Sequence, residues 1–417
     1  MRQPRMLLPK SDNGPAKIKD PGVIEFVKAG CAAYNAKTQE LLLLPRGEEM
    51  RRELAANVRA ALFRESGIQQ VDCGGDAALY SLADRFVREW DADARFYAEE
   101  RGRNIRVLAW CRDDEEAAAL SGTVRGALLS SADAERYALR FVEAVPDAAD
   151  ETAVFHLLSP SEPGALATMP GFRCPGCSAL FLPDSPAGYV PRQPGANEAE
   201  EPLADIETPG ANTIAELCKQ LGIEIARTLK AMLYIAVDAE GARHPVAAFV
   251  RGDFNMSMAK LSRRLREASG LTGLRSADKA ELQAMVGEVA GYCGPVGLPD
   301  NVVVICDESV RGGKNTVAGA NRAGYHKKGC CHPRDFDPPF ADIAQYAQGS
   351  PCPHCETPIE SAALRASATI SYGPHRATEE LPKTLSYRDR EGEHAFPVVL
   401  RGDISLESIL LATHSDR

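Results

Sequence analysis

Two Cys-Pro-x-Cys turns stand far apart in this chain, Cys174-Pro-Gly-Cys177 and Cys352-Pro-His-Cys355. A turn of this kind aims two thiolates at one point, as in a metal knuckle. A single tetrahedral site would need both turns, so the chain between them would have to leave a place and return to it. That condition restricts the fold more than anything else in the sequence: if both turns serve one ion, the two ends of the chain between them must lie close together. Reduced thiols are the other reading, because zinc ribbons usually have tighter spacing. Four cysteines leave an ion no open position, so zinc here would be structural and not catalytic. The trio Cys330, Cys331 and His332 is less specific and reads as ordinary residues.

The block between the turns has its own signals. TIAELCKQLGI predicts a helix, with Thr213 as N-cap and Glu216 three residues on, the pattern of a capping box. ARTLKAMLYIAV sets Lys230 in an apolar run. HPVAAFVRGDF and NVVVICDESV read as further strands ending in turns. GYCGPVGLP and NTVAGANRAGYHKKG supply Gly/Pro turns with polar residues at their edges. Together these predict a small α/β domain with a pocket. Between Pro183 and Ala204 the chain is rich in Pro, Gly and acidic residues and reads as a linker.

The ordered series ETPG, TIAEL, RTLKAMLY, VAAFVRGD, GPVGLP, DESV, GANRAGYH and RDF resembles the editing domain inserted in bacterial prolyl-tRNA synthetases, a relative of free-standing aminoacyl-tRNA deacylases. The resemblance implies an α/β (α+β) architecture. A class II synthetase-like antiparallel-sheet core would occupy 1–205, be completed by 337–417, and carry an inserted YbaK-like mixed α/β deacylase domain at 206–336. It also implies roles. Lys230 would meet the 3′-terminal adenosine of tRNA or its phosphate, and His326 would shape the pocket. The Gly294–Pro299 loop, with Pro295 and Gly297 in it, would present backbone N–H groups to the ester carbonyl as an oxyanion hole. Asp307 and Asn315 would make polar contacts at the rim, and Gly319, Ala320 and Asn321 would line the turn before His326. Read from the residues alone, Lys230 is a lysine snorkelling from a half-buried strand and His326 a surface histidine in a basic turn.

The flanking sequence resembles the synthetase core in a damaged form. Leu41–Leu44, the Pro45-Arg46-Gly47 turn and a helix with Leu54, Val58 and Leu62, closed by Gly67, resemble the first class II motif and its dimer interface. A homodimer is compatible with this, although VDCGG at 71–75 lacks the family's proline. The stretch from Asp76 to Ile105 reads as helical. VLAWCRDDEEAAALSGTVRGALL resembles the second motif, with Arg112, Glu115 and Arg125 at the ATP-binding positions; the residue-level alternative is an exposed charged hairpin turn. A helix with Tyr137, Leu139 and Val142 is expected next, and then a strand in which His156 reads as a satisfied core residue. At the third motif, Glu407 or Ser408 stands where the family clamps the γ-phosphate with arginine. A carboxylate reverses the Coulomb term there. The family's anticodon-binding domain is expected to be missing after Arg417.

The net charge of −10 argues against a generally nucleic-acid-adhesive surface. A local patch is the alternative, at Lys260, Arg263, Arg264 and Arg266 and at Lys327 and Lys328; it reads equally as a solvated face. No apolar span suggests a membrane segment or a signal peptide, and the cysteine usage fits a reducing cytoplasm. The expectation is a prolyl-tRNA synthetase-like protein that hydrolyses mischarged tRNA(Pro), Ala-tRNA(Pro) first. It would act on the acceptor end, beside a prolyl-tRNA synthetase, with structural zinc and doubtful ATP use. The other readings are an ATP-using ligase and a non-catalytic tRNA-binding regulator.

Overall fold

The computed structural model describes residues 20–414 except 36–39, 72–75, 91–94, 147–151, 164, 167, 187–192, 194, 287–290, 376–380, 382–384 and 389–391. The missing-proline motif and part of the linker fall outside the described residues. The chain forms two units, 1–182 with 360–417, and 183–359.

The first unit is built on a nine-stranded sheet. Its order begins Gln69–Val71, Phe96–Arg101, Asn104–Cys111, Val398–Ser405, Glu360–Pro374, Ala153–Ser161 and Arg140–Ala144. Thr168–Arg173 also pairs with Glu360–Pro374. Apart from the parallel pair formed by Gln69–Val71, these neighbours are antiparallel, in line with the class II-like α+β expectation. Strand alternation divides the sheet into two faces. Ile105, Val107, Ala109 and Cys111 share a core with the helices Pro45–Ser66, Asp114–Ser131 and Leu406–Ala412. Leu108 and Trp110 point the other way, into a core with Leu79, Tyr97, Leu385, Phe396 and Val399.

The sequence reading of this unit needs three corrections. The Asp76–Ile105 stretch is a helix, Asp76–Trp90, followed by a strand from Phe96. The expected helix around Leu139 is a turn leading into Arg140–Ala144. The expected second-motif hairpin is the N-terminal part of Asp114–Ser131, a helix N-capped by Asp113. Asp113 accepts from Glu116 N, and AAALSGTVRGALL carries small and apolar residues at helical spacing (Ala117, Val124, Ala127, Leu128), so a buried stripe outweighed the charged start.

The second unit holds a five-stranded sheet ordered Thr272–Ser276, Leu229–Val237, Arg243–Arg251, Val303–Asp307 and Phe340–Ala341. The last two pairings are parallel. A three-stranded antiparallel sheet, Ala204–Glu207, Tyr325–Cys330 and Thr316–Gly319, lies in the same unit. The capping box forms: Glu216 N donates to Thr213 Oγ1 at 3.2 Å, and Thr213 N donates to Glu216 Oε2 at 3.0 Å. This unit extends beyond 206–336 on both sides because its flanks are tied to each other. Tyr346 N donates to Pro183 O at 2.8 Å, and Gln345 Nε2 donates to Asp184 Oδ1 at 3.0 Å.

Candidate functional site

The second unit contains a cavity of about 330 Å³, at the small end for ligand sites. The helix start Asn212–Ile214 forms one wall, and Leu229–Leu233 forms another. Gly291, Cys293, Gly319 and His326 also line it. The approach of the 291–299 loop to Thr316–Gly319 leaves no room for side chains. A Cβ on Gly294 would meet Gly319 O at 1.9 Å, and one on Gly319 would meet Tyr292 O at 2.2 Å. The two glycines let backbone pack on backbone and set Cys293 at the cavity.

Lys230 reaches the cavity from the strand Leu229–Val237. Its Nζ donates to Phe254 O at 2.7 Å and to Asn255 Oδ1 at 3.3 Å. Partial burial lowers its pKa, and the charge of Asp253 opposes the shift. The ammonium is thus held in place by neutral oxygens and keeps its charge uncompensated at close range. His326 is buried, and burial lowers its pKa to about 4, so the ring is neutral near pH 7. Its Nδ1 lies 2.7 Å from Thr208 Oγ1, and the Tyr292 ring packs against it with centroids 5.2 Å apart.

Other residues singled out from the sequence lie elsewhere. Asp307 does not line the cavity. Its buried carboxylate accepts from Ser309 N, Ile343 N and Ala344 N, each at 2.8 Å, and so anchors the 342–344 segment. Burial raises its pKa, and these bonds oppose the rise. Asn315 Oδ1 accepts from Glu201 N at 2.8 Å, and its Nδ2 donates to Ala199 O at 2.9 Å; it clamps the 198–201 segment. Gly294 N donates to Asn321 Oδ1 at 2.9 Å, and Asn321 Nδ2 donates to Val296 O at 2.9 Å. The Gly294 N–H is therefore engaged inside the loop and is not aimed at an ester. Asn321 staples that loop, and Pro295, Gly297 and Ala320 do not line the cavity. Within the basic patch, Lys260 is buried against Asp342 at 2.9 Å and Ala344 O at 2.8 Å. Lys327 pairs with Asp205 at 2.8 Å.

The residues expected at an ATP site lie at the start of and along one helix, engaged by neighbouring side chains. Arg112 is exposed and ion-paired with Glu116 at 3.3 Å. Glu115 lies in the first turn of the helix Asp114–Ser131, and Arg125 lies further along it, with its guanidinium 3.8 Å from the Phe155 ring centre. Glu407 pairs with Arg103, which sits in the turn between Phe96–Arg101 and Asn104–Cys111. His156 is satisfied in the core, with Nδ1 at 3.0 Å from Thr369 Oγ1.

The two cysteine turns share one backbone design. Ser178 N donates to Cys174 O, Cys174 N donates to Ala179 O, and Ser178 has φ 60°. Glu356 N donates to Cys352 O, Cys352 N donates to Thr357 O, and Glu356 has φ 61°. Among the described residues, Cys174, Cys177, Cys352 and Cys355 form a group that could hold a metal ion. Four thiols in paired knuckles fit zinc chemistry.

The cavity-bearing stretch has a defined class: residues 208–329 match the family model of the aminoacyl-tRNA editing domain. The resemblance read from the ETPG-to-GYH series thus holds for this stretch. The chain is also similar to curated proline–tRNA ligases. It is 34% identical to that of Aquifex aeolicus over 212 residues, which is 51% of this chain and 35% of the relative. It is 37% identical to that of Geobacter sulfurreducens over 164 residues, 39% of this chain and 27% of the relative. The chain thus spans about a third of the length of these relatives. Among solved structures, a candidate trans-editing enzyme for prolyl tRNA synthetase is 20% identical, covering 34% of this chain and 87% of that one, with a TM-score of 0.29. Among the described residues, no helix is long and apolar enough to cross a membrane.

Proposed function

We propose that the 183–359 unit is a water-using deacylase that cleaves the ester joining a wrong amino acid to the 3′ end of a tRNA. The observation that carries this reading is the small cavity walled by Lys230 and a neutral, buried His326, inside a stretch that matches an editing-domain family. An aminoacyl ester is already activated, so a positioned water and a polarised carbonyl suffice, without a serine or cysteine nucleophile. Cys293 is unsuited to that role, because burial pushes its thiol up to about 12. Lys230 supplies the cation that an anionic acceptor end requires. The cavity acts as a size sieve, the solution used when binding cannot separate small apolar side chains. On this reading the first substrate is Ala-tRNA(Pro), the partner is the tRNA(Pro) acceptor end, and a prolyl-tRNA synthetase supplies the mischarged product. A deacylation time course on Ala-, Ser- and Pro-tRNA(Pro) tests it. Rapid loss of alanine with proline retained is expected; binding of tRNA with every ester intact would indicate a regulator instead.

The similarity to proline–tRNA ligases favours a second reading, ATP-dependent amino-acid activation by the first unit. We infer that this activity is absent. Arg112 is ion-paired with Glu116, Arg125 lies on the Phe155 ring, Glu407 holds Arg103, and Trp110, Tyr97 and Phe396 fill one sheet face. ATP–pyrophosphate exchange across a panel of amino acids should stay at background. We also propose that the four knuckle cysteines hold one structural zinc, with no part in the hydrolysis.

A further inference from the structure

Thr208 is fully buried and does not itself line the cavity. Several groups converge on it. Its N donates to Gly324 O at 2.7 Å, and its O accepts from Ala211 N at 3.2 Å and from Tyr292 Oη at 3.4 Å. Its Oγ1 lies 2.7 Å from His326 Nδ1 and 3.5 Å from Gly324 O. The residue therefore holds both the imidazole and the tyrosine ring packed against it.

The hydroxyl has one proton, and two arrangements are open to it. In the first, Oγ1–H donates to Nδ1, and His326 carries its own proton on Nε2. That proton then has no acceptor among the described residues, and the contact to Gly324 O goes unused. In the second, Nδ1–H donates to Oγ1 and Oγ1–H donates to Gly324 O. Both donors then end on internal acceptors, and only a lone pair on Nε2 is left toward the cavity. The second arrangement uses both polar neighbours of the hydroxyl, Gly324 O as acceptor and Nδ1–H as donor, whereas the first uses only one. The second arrangement is preferred on that ground.

We propose that Thr208 is a positioning residue that fixes His326 as the Nδ1–H tautomer, so that Nε2 presents a hydrogen-bond acceptor to the cavity. This deepens the deacylase reading and rests on it. Nε2 accepts a hydrogen bond from the attacking water and turns a water lone pair toward the ester carbonyl carbon. The new bond joins that carbon to the water oxygen, and the bond from carbon to the ribose 3′-oxygen breaks. The proton released by the water ends on the departing 3′-oxygen. The ring orients the water and need not store a proton, and Thr208 prevents it from turning a donor toward the water instead.

The test is the tautomer itself, read by long-range ¹H–¹⁵N correlation on protein labelled at its 8 histidines, with His326→Gln to assign the signal. The parent should show His326 protonated at Nδ1. Thr208→Val should lose that state, and Thr208→Ser should restore it. On Ala-tRNA(Pro), Thr208→Val should lower kcat on the order of 10²-fold with KM nearly unchanged, and Thr208→Ser should recover most of the rate. A proton on Nε2 in the parent overturns the proposal, as does a Thr208→Val protein with the parent's tautomer and rate. The spectrum of the parent decides even if Thr208→Val does not fold. It needs no substrate, so a parent that hydrolyses no aminoacyl-tRNA refutes the deacylase reading and leaves the tautomer result standing apart.

Discussion

At the scale of single residues, the cavity depends on what is absent as much as on what is present. Gly319 faces Tyr292 O so closely that any side chain must push the 291–299 loop away. Gly319→Ala should therefore lower the melting temperature of the second unit and abolish hydrolysis together, which calorimetry and an activity assay would both register. His326 makes stability depend on pH with a definite sign. Its pKa is about 4 when folded against 6.5 for the free side chain. Above 6.5 both states are neutral there and the native state keeps its full advantage. As pH falls from 6.5 through 4, the unfolded chain takes up a proton that the native ring refuses, and stability drops. Denaturant midpoints measured across this window should slope less in His326→Gln than in the parent. The residues that misled the sequence reading are also explained at this scale. Asp307 and Asn315 sit at strand ends, where a polar side chain can serve a ligand or the backbone. Their partners lie at 343–344 and 198–201, too far along the chain for local pattern to reveal. Thr208 stood in the ETPG motif in plain view, but its partner His326 comes from another strand.

At the scale of elements, short-range chemistry was legible and long-range assignment was not. Thr213, Glu216 and Gly222 encode a helix within their own turn: the box closes and Gly222 ends the helix at φ 66°. Thr213→Ala should cost about 1 kcal/mol in chemical denaturation. The helix Asp114–Ser131 was hidden because its acidic start resembles a charged turn, while the burial that decides the matter comes from other strands and helices of the first unit. The same applies to the face that carries Trp110. The indole is fully buried against Tyr80 and Tyr97, and its N–H has no hydrogen-bond partner among the described residues. Trp110→Ala should cost about 3–5 kcal/mol by leaving a cavity, whereas Trp110→Phe should cost far less, since no hydrogen bond is lost. An unfolding transition left unmoved by Trp110→Ala would contradict the buried, well-packed placement of the indole.

At the scale of the whole molecule, the two units place their cationic groups differently. In one, guanidinium groups suited to phosphate are paired with Glu116 and Glu407 or laid on Phe155. In the other, Lys230, His326 and Gly319 share a cavity. If the cysteine knuckles hold zinc, elemental analysis should find about one ion per chain, and Cys177→Ser with Cys355→Ser should remove it. Loss of the ion should lower thermal stability without changing which ester is cleaved. The most direct test of the central claim is the initial rate of Ala-tRNA(Pro) hydrolysis by the full chain, measured beside Lys230→Ala with no ATP present. The account predicts release of alanine by the parent and a loss on the order of 10²-fold in the variant. Equal rates in the two proteins, or release that begins only when ATP is added, would contradict it.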